Sequence, residues 1–335
     1  MKNFIGHLKI SNFKSIRSLN LEGLSRINLF IGKPNVGKSN ILEAFGVFSL
    51  PYLKYSTDKK LSNFIRADYL NELFFDGMTE NEIAITNDLG EFMLSYRIKE
   101  EDSSKIAFIE TKLNISTVNA SLSIENDLTV SITGNEVNKN PFKYYSFKTN
   151  PKSKRNNATS LLPPFGSNLI GIIENSPLLK KEISTLFNEN GLNLVFDRAS
   201  QELKIMKPIK GSEIFLIPYS SIADTLQRVI FYKTAITSNQ NSVLIFEEPE
   251  AHAFPPYIVH ITQEIIESQS NQFVISTHSP YILDYFLENA IEELSIFMVD
   301  YKDGETVANK LSREDMEDIR QYGIDLFTNY ETFLK

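Results

Sequence analysis

The sequence predicts an α/β fold that contains a mostly parallel sheet and carries an inserted lobe, which is β-rich and partly helical. Short, mostly apolar runs at residues 27–31, 242–246 and 273–276 are each followed by a stretch with helical periodicity. This alternation is typical of buried parallel strands connected by helices. Between residues 80 and 148, runs rich in β-branched and aromatic residues alternate with Asn, Asp and Gly, which favours antiparallel strands.

The apolar runs lie near the two ends of the chain, so we expect the parallel sheet to be built from both ends. Residues 1–79 and 213–335 would form one head, and residues 80–212 would be inserted between them as the lobe. A helical stretch at residues 168–190 accounts for the helical part of that lobe. The predicted organisation is therefore a head in two parts and an inserted lobe.

Composition excludes several classes of protein. Hydrophobic residues make up 42% of the 335 residues and charged residues 23%, which excludes a disordered chain. The net charge of -8 excludes a protein that coats nucleic acid by bulk charge but permits a local basic groove. The absence of Cys excludes a disulfide scaffold and a thiolate zinc site. No run approaches the roughly 20 apolar residues of a membrane helix, so we expect a cytoplasmic protein without a membrane partner.

A phosphate-binding loop is predicted directly after the first apolar run. Residues 32–39 read GKPNVGKS and fit the pattern G-x-x-x-x-G-K-[ST], with a strand before them and a helix after them, as the motif requires. Backbone N–H groups of such a loop surround phosphate oxygens at the positive end of the helix. Lys38 would bridge the β- and γ-phosphates, and the Ser39 hydroxyl would bind Mg²⁺. The residues predicted to bind nucleotide are Gly32, Lys33, Pro34, Asn35, Val36, Gly37, Lys38, Ser39 and Asn40.

Two carboxylates follow the apolar run at residues 242–246. Glu247 is predicted to hold the Mg²⁺ or its water, and Glu248 is predicted to be the general base for an attacking water. Taken alone, acidic residues after a strand are more often a solvated turn. The phosphate loop in the same chain favours the catalytic interpretation.

A histidine follows the run at residues 273–276. His278 lies where open α/β sheets bind ligands, at the carboxyl end of a strand, and it is predicted to contact the γ-phosphate. An ordinary histidine at a sheet edge explains the position equally well when it is considered alone. The predicted catalytic residues are thus Lys38, Glu248 and His278.

The spacing of the motifs separates classes of phosphate-loop protein. Roughly 200 residues lie between the loop and the acidic pair, which is too long for a compact GTPase, and no guanine-reading Asn-Lys-x-Asp motif is present. The strings GKPNVGKSNILEA, SVLIFEEPEAH and FVISTHSPYIL together resemble the ABC-type ATPases of the RecF/SMC/OLD branch. The resemblance covers residues 1–50 and 213–290.

This resemblance implies an ABC-type ATPase head that uses ATP and Mg²⁺. It assigns Glu247 and Glu248 to the Walker B pair and His278 to the switch histidine. The residues that it matches to the Walker A loop are Gly32, Asn35, Gly37, Lys38, Ser39 and Asn40. Heads of this kind bind ATP between two protomers, so it also implies a homodimer or higher homo-oligomer through shared ATP sites. A signature helix from one protomer then closes the γ-phosphate site of the other.

The signature is the place where the chain departs from the family. The matching residues 219–228 contain no glycine. Ser221, Asp224 or Thr225 could cap the helix and direct its dipole across the interface. A plain capped core helix is the alternative.

The resemblance also suggests a biological role by analogy. OLD-like heads without a Toprim nuclease domain resemble the ATPase components of bacterial anti-phage defence systems such as PARIS, which control a separate nuclease. Because the chain ends at Lys335, we expect the effector, a Toprim or other nuclease, to be another polypeptide, with DNA as a possible partner. A RecF-like repair or recombination ATPase is one alternative. A transporter ATPase subunit is another, although no membrane-coupling element supports it.

Overall fold

The structure is a computed structural model that describes residues 3–101, 104–149, 157–188, 191–197, 200, 202–209 and 213–334. The strands in chain order are β1 (His7–Phe13), β2 (Ile16–Glu22), β3 (Ile27–Ile31), β4 (Ile83–Asn87), β5 (Gly90–Glu101), β6 (Ser104–Ile115), β7 (Asn119–Ile124), β8 (Val130–Asn135), β9 (Phe142–Tyr145), β10 (Asn193–Asp197), β11 (Glu202–Pro208), β12 (Ile214–Pro218), β13 (Val243–Glu247), β14 (Gln272–Ser276), β15 (Leu294–Lys302) and β16 (Glu305–Lys310).

The α-helices are α1 (Lys38–Gly46), α2 (Leu169–Asn175), α3 (Pro177–Asn188), α4 (Asp224–Ser238), α5 (Pro255–Glu267), α6 (Pro280–Asn289) and α7 (Arg313–Tyr322). Short 3₁₀ segments span Val47–Tyr55, Leu61–Asn63, Leu70–Leu73, Phe75–Gly77, Val137–Lys139, Tyr219–Ser221, Ile291–Glu293 and Tyr330–Phe333. None of the helices in the described parts of the chain is long and apolar enough to cross a membrane.

The chain forms two compact units. The first comprises Met1–Tyr144, Asn241–Glu248 and Gln269–Lys335, and the second comprises Tyr145–Gln240 and Pro249–Ser268. The first unit contains a six-stranded sheet in the order β16-β15-β3-β14-β13-β9 and a five-stranded sheet in the order β2-β1-β4-β5-β6. Strands β15, β3, β14 and β13 run parallel, whereas β16 is antiparallel to β15. The predicted α/β class with a largely parallel sheet is thereby confirmed.

The centre of the six-stranded sheet is the core of the first unit. Every residue of β3 and β14 is buried, and the Phe30 ring stacks on the Phe297 ring at 5.0 Å between centroids. Asn28 is the one polar residue of β3, and its amide donates to the Phe273 carbonyl at 2.9 Å. Because this buried amide is hydrogen-bonded, it does not interrupt the apolar run that predicted the strand.

The second unit has its own sheet and a cluster of helices. Its antiparallel sheet has the order β10-β11-β12, and α4 packs against α2, α3 and α5. Lys233 on α4 forms ion pairs with Glu182 of α3, at 2.9 Å, and with Glu264 of α5. These charges connect three of the helices.

The units do not follow the segment boundaries predicted at residues 79/80 and 212/213. Strand β4 pairs with β1 in antiparallel register, so the strand-rich part of the predicted lobe belongs to the same unit as the parallel sheet. Conversely, α4 and α5 belong to the second unit, although the sequence placed them in the head. The difference arises because strand pairing joins segments that are distant along the chain, which composition cannot report.

Burial of the Lys143 side chain on β9 lowers the free energy of unfolding by an amount that can be measured. The side chain is 4% exposed, and burial lowers its pKa from 10.5 to about 8. Below pH 8 both the folded and the unfolded states hold the proton, and the folded state bears the full cost of the buried ammonium, about 3 kcal/mol. As the pH rises from 8 to 10.5, the folded state releases the proton first, so the free energy of unfolding increases.

We therefore expect Lys143→Met to raise the free energy of unfolding at pH 7 by up to about 3 kcal/mol and to flatten its rise between pH 8 and 10. Urea unfolding at several pH values measures both effects. Lys9→Met is the matched control, because Lys9 lies exposed on β1 of the same unit. A Lys143→Met profile parallel to that of the wild type would contradict the assignment.

Candidate nucleotide site

The register of three parallel strands brings the predicted motifs together in the first unit. They lie at the edge of the sheet that is formed by the carboxyl ends of these strands. Phe30 of β3 pairs with Ser276 of β14, and Ser276 pairs with Glu247 of β13. The carboxyl ends of the three strands therefore lie side by side. The segments that follow them are the phosphate loop, Glu248, and the residues leading to His278. Ligands bind at this edge in open α/β sheets.

The phosphate loop requires glycine at two positions because other parts of the chain approach it closely. A Cβ at Gly32 would lie 2.3 Å from the Val299 carbonyl oxygen. A Cβ at Gly37 would lie 2.0 Å from Thr306 Oγ1, and Gly37 also has a φ of 100° as the N-cap residue of α1. Within the predicted nucleotide-binding set, Lys33, Pro34 and Asn35 are exposed and Val36 is buried.

A chain of hydrogen bonds holds the loop from behind. Asn40 Nδ2 donates to Ser15 Oγ at 2.6 Å, and Ser15 Oγ lies 2.6 Å from Thr306 Oγ1. Thr306 Oγ1 in turn donates to the Val36 carbonyl at 2.9 Å. Thr306 has a single hydroxyl proton, so this direction makes Ser15 the donor to Thr306. The loop is thus fixed by the β1–β2 turn and by β16, two segments that sequence reasoning did not connect with it.

Lys38 lies at the centre of the loop. Its Nζ donates to the Gly32 and Lys33 carbonyls, each at 2.8 Å, and the residue is 6% exposed. Burial lowers the pKa of Lys38 to about 8, although the charges of Glu248 and Glu247 oppose the shift. The ammonium is therefore held by backbone carbonyls at the position where a bound phosphate would need it.

Ser39 and Glu247, the two predicted metal ligands, are in direct contact. Ser39 Oγ donates to Glu247 Oε1 at 2.5 Å. A hydroxyl and a carboxylate suit Mg²⁺, which takes oxygen ligands at 2.0–2.1 Å and keeps phosphate oxygens and waters in its remaining positions. The oxygens of neighbouring ligands of such an ion lie about 2.9 Å apart. Ser39 Oγ and Glu247 Oε1, now 2.5 Å apart, would therefore have to separate only slightly to bind it. Ser276 pairs with Glu247 across the two strands, and its buried hydroxyl has no hydrogen-bond partner among the described residues. This hydroxyl can therefore still form a hydrogen bond at this edge of the sheet.

Two further side chains hold the Glu247 carboxylate. Arg66 Nη2 donates to Oε1 at 2.8 Å, and the Tyr144 hydroxyl donates to Oε2 at 3.0 Å. Burial raises the pKa of Tyr144, and the charge of Glu247 adds to the shift, so the phenol is a donor at neutral pH. Burial lowers the pKa of Arg66, but the charges of Glu247 and Glu43 outweigh it and the net shift is upward.

Glu43 connects Arg66 to a second cation. Its Oε1 accepts from Arg66 Nε at 2.7 Å, and its Oε2 accepts from Lys14 Nζ at 2.5 Å. Sequence reasoning missed Lys14, Arg66 and Tyr144, since none belongs to a motif. Glu43 carried a weak signal, because it lies on α1 four residues after Ser39 and so on the same helix face.

Glu248 and His278 lie beside each other at the sheet edge. Glu248 Oε1 and His278 Nε2 are 3.4 Å apart, and both side chains are partly exposed. Glu248 has a φ of 43°, and its N–H donates to the Ser276 carbonyl at 3.0 Å. A positive φ is uncommon for a residue other than glycine. Burial and the charge of Lys38 lower the pKa of His278, and Glu248 only partly offsets them, so His278 is neutral at pH 7.

The three predicted signature residues lie in the second unit, whereas the phosphate loop lies in the first. Asp224 accepts from Arg228 Nε at 3.0 Å, and the Thr225 hydroxyl donates to the His252 carbonyl at 2.7 Å. The expectation that one of them caps the helix is wrong in the described structure, where α4 has Ala223 as its N-cap residue and no side-chain cap. Asp224 and Thr225 are inside the first turn and bond elsewhere, while Ser221 is exposed at the end of a 3₁₀ segment.

Comparison with solved structures identifies similar folds. The chain resembles an Smc head bound to the C-winged helix domain of ScpA, with a TM-score of 0.50 and 15% identity, over 94% of this chain and 100% of that one. It also resembles an Smc head domain with an extended coiled coil bound to the C-terminal domain of ScpA, derived from Pyrococcus furiosus. That match has a TM-score of 0.51 and 15% identity, over 95% of this chain and 99% of that one. At these identities the likeness concerns the fold alone.

Comparison of sequences identifies the family. Over 41 residues the chain is 51% identical to an uncharacterized protein of Methanocaldococcus jannaschii; the match covers 12% of this chain and 19% of that relative. The chain thus spans about a fifth of the length of this curated relative. A family model described as "AAA domain, putative AbiEii toxin, Type IV TA system" matches residues 27–284, which is most of the chain. The chain therefore belongs to this AAA-domain family.

Proposed function

We propose that the chain binds ATP with Mg²⁺, hydrolyses it, and changes conformation with the nucleotide it holds. The observation that carries this proposal is the meeting of Lys38, Ser39 and Glu247 at one sheet edge, with Ser39 and Glu247 in contact at 2.5 Å. Glu248 and His278 adjoin the same edge. A phosphate-binding lysine, two hard metal ligands and a candidate base are the groups that phosphoryl transfer to water requires.

Lys38 and the first turn of α1 would bind the phosphates. The Lys38 ammonium exchanges its two carbonyl acceptors for β- and γ-phosphate oxygens, and the free N–H groups of α1 add their positive dipole. Because the hydrogen-bonded chain through Thr306 holds Val36 in place, the loop keeps its shape while this exchange takes place. Preorganised donors of this kind stabilise charge that develops in the transition state.

Ser39 and Glu247 would hold Mg²⁺, which supplies charge neutralisation between the β- and γ-phosphates. Glu248 would take the proton of the attacking water, and its partly exposed carboxylate leaves room for that water. His278, neutral at pH 7, would donate a hydrogen bond to the γ-phosphate and so report its presence. Because His278 contacts Glu248, it would connect the bound γ-phosphate with the proposed general base.

We further propose that two protomers complete each ATP site. Ser221 and Thr225 near the start of α4 would supply hydroxyl groups to the γ-phosphate of the neighbouring protomer, with Asp224 retained by Arg228. Support comes from the family resemblance and from the exposure of Ser221. Thr225 would have to exchange its bond to the His252 carbonyl for this contact.

The biological role we propose is that of a cytoplasmic ATPase and scaffold in a bacterial anti-phage defence system. It would control a separately encoded effector, a Toprim or other nuclease, with DNA as a possible partner. The OLD-like motifs support this role, and the description of the matching family names a toxin–antitoxin system. The two similar Smc heads are each described as bound to part of ScpA, a separate protein. Mass spectrometry of proteins that co-purify with the chain from its native operon would identify the partner.

Two substitutions separate nucleotide binding from turnover. Lys38→Ala removes the phosphate cation and is expected to abolish ATP binding. Glu248→Gln keeps the shape of the side chain and removes the base, so it should bind ATP and hydrolyse it roughly 100-fold or more slowly. Equilibrium binding of a fluorescent ATP analogue and a steady-state phosphate assay measure the two effects.

The controls for these substitutions are Lys9→Ala and Glu22→Gln, because both residues lie exposed on strands of the same unit. Both controls should match the wild type in binding and turnover. Hydrolysis by Glu248→Gln at the wild-type rate would show that Glu248 is not the base.

The shared-site proposal predicts complementation between two inactive proteins. A Lys38→Ala protomer keeps its α4 residues, and a Ser221→Ala/Thr225→Val protomer keeps its phosphate loop. After subunit exchange, a mixed dimer contains one intact site, so the mixture should recover a fraction of the wild-type ATPase rate while each protein alone stays near zero. If the mixture remains inactive although exchange is verified by mass spectrometry, α4 is a structural helix only.

A further inference from the structure

The carboxylate that we assign to the metal already holds a cation. Glu247 Oε1 accepts from Ser39 Oγ at 2.5 Å and from Arg66 Nη2 at 2.8 Å. Glu247 Oε2 accepts from the Tyr144 hydroxyl at 3.0 Å. An ionised carboxylate oxygen has about two lone-pair sites, so Ser39 and Arg66 together use those of Oε1.

Arg66 is anchored on its other side by a deeply buried carboxylate. Glu43 is 1% exposed, and it accepts from Arg66 Nε at 2.7 Å. Lys14 pairs with the second oxygen of Glu43 at 2.5 Å and also donates to the Arg66 carbonyl at 2.7 Å. The guanidinium therefore bridges two carboxylates, and its planar fork suits this geometry in a way that a lysine ammonium cannot reproduce.

A divalent cation at Glu247 Oε1 would compete with Arg66, because Ser39 and Arg66 already use the lone-pair sites of that oxygen. A Mg²⁺ ligand oxygen lies 2.0–2.1 Å from the ion, and a guanidinium donating to the same oxygen would place two cations in near contact. The Arg66 side chain is 60% exposed, so it has room to swing away from Glu247, whereas Glu43 is buried and stays in place. Displacement of Arg66 from Glu247 would thus favour metal binding at Oε1.

We propose that Arg66 closes the Glu247 carboxylate to divalent cations until nucleotide phosphates supply further ligands, which makes metal binding conditional on ATP. This inference rests on the proposed function, since it takes Glu247 as the metal ligand. Arg66 is a positioning residue in this account, because it acts through Glu247. The negative charges of the phosphate ligands compensate for the loss of the Arg66 contact, and in their absence the contact prevails.

Mn²⁺ binding to the nucleotide-free chain tests the proposal directly. Electron paramagnetic resonance measures free Mn²⁺ in a titration that requires no catalysis. Arg66→Gln removes the charge that opposes the ion, and we expect it to bind Mn²⁺ about ten-fold or more tightly than the wild type. The double variant Arg66→Gln/Glu247→Gln should lose this gain, because the carboxylate that takes the ion is absent.

Two more variants are compared with the wild type in the Mn²⁺ titration. Arg17→Gln removes one positive charge from the same unit at an exposed site, where the guanidinium lies over the Phe75 ring at 5.0 Å, and it should bind Mn²⁺ like the wild type. Arg66→Lys keeps a charge that can remain on Glu43 but cannot bridge both carboxylates, so its affinity should lie between those of the wild type and Arg66→Gln. If Arg66→Gln does not fold, the comparison of Arg66→Lys with the wild type still decides the question.

Mn²⁺ affinity in Arg66→Gln or Arg66→Lys that is equal to or weaker than that of the wild type would overturn the proposal. A parallel titration of wild-type protein with ATP in EDTA separates this failure from failure of the proposed function. If ATP binds but the Arg66 variants do not gain Mn²⁺ affinity, only the gating role of Arg66 is wrong. If ATP does not bind at all, the proposed function is wrong.

Discussion

The candidate site depends on the parallel register of β3, β14 and β13. Phe30, Ser276 and Glu247 form one row across these strands, and the row fixes how far the phosphate loop lies from the acidic pair. A slip of one residue in any strand would turn its side chains to the opposite face of the sheet. Strands β3 and β14 are buried along their whole length, so a slip would mispack side chains on both faces of the sheet, and the register is strongly specified.

The residues that we propose bind the nucleotide and its metal are paired with the chain's own groups. The loop carbonyls of Gly32 and Lys33 hold the Lys38 ammonium, and Ser39 and Arg66 hold the Glu247 carboxylate. Buried charges are costly unless they are paired, so these contacts stabilise a site that is rich in ionised groups. Binding then exchanges one set of polar contacts for another, and its free energy depends on the difference between them.

The parts of the site that could be predicted from the sequence are those in which neighbouring residues act together. The phosphate loop, the Glu247–Glu248 pair and His278 each follow a buried strand, and their residue types are set by local chemistry. The fold class could also be predicted, since short apolar runs alternate along the chain with longer stretches of helical periodicity. These predictions needed only short-range patterns.

The residues that could not be predicted are held by contacts between distant segments. Ser15 and Thr306 are 291 positions apart, and Arg66 and Glu247 are 181 apart, so no local pattern links either pair. The division into two units has the same origin, because β4 joins β1 by pairing across a long intervening segment. The predicted cap of α4 failed for the same reason: the Thr225 hydroxyl bonds the His252 carbonyl, which is 27 positions away, and that contact is set by the tertiary structure.

The central claim is that Lys38, Ser39 and Glu247 form a single site for ATP with its metal. Isothermal titration of the wild-type chain with ATP, in EDTA and then in excess Mg²⁺, tests it most directly. We expect one ATP per chain in both conditions, with tighter binding in Mg²⁺ because Ser39 and Glu247 then contribute as ligands. The absence of binding at millimolar ATP in both conditions, or an affinity that Mg²⁺ leaves unchanged, would contradict it.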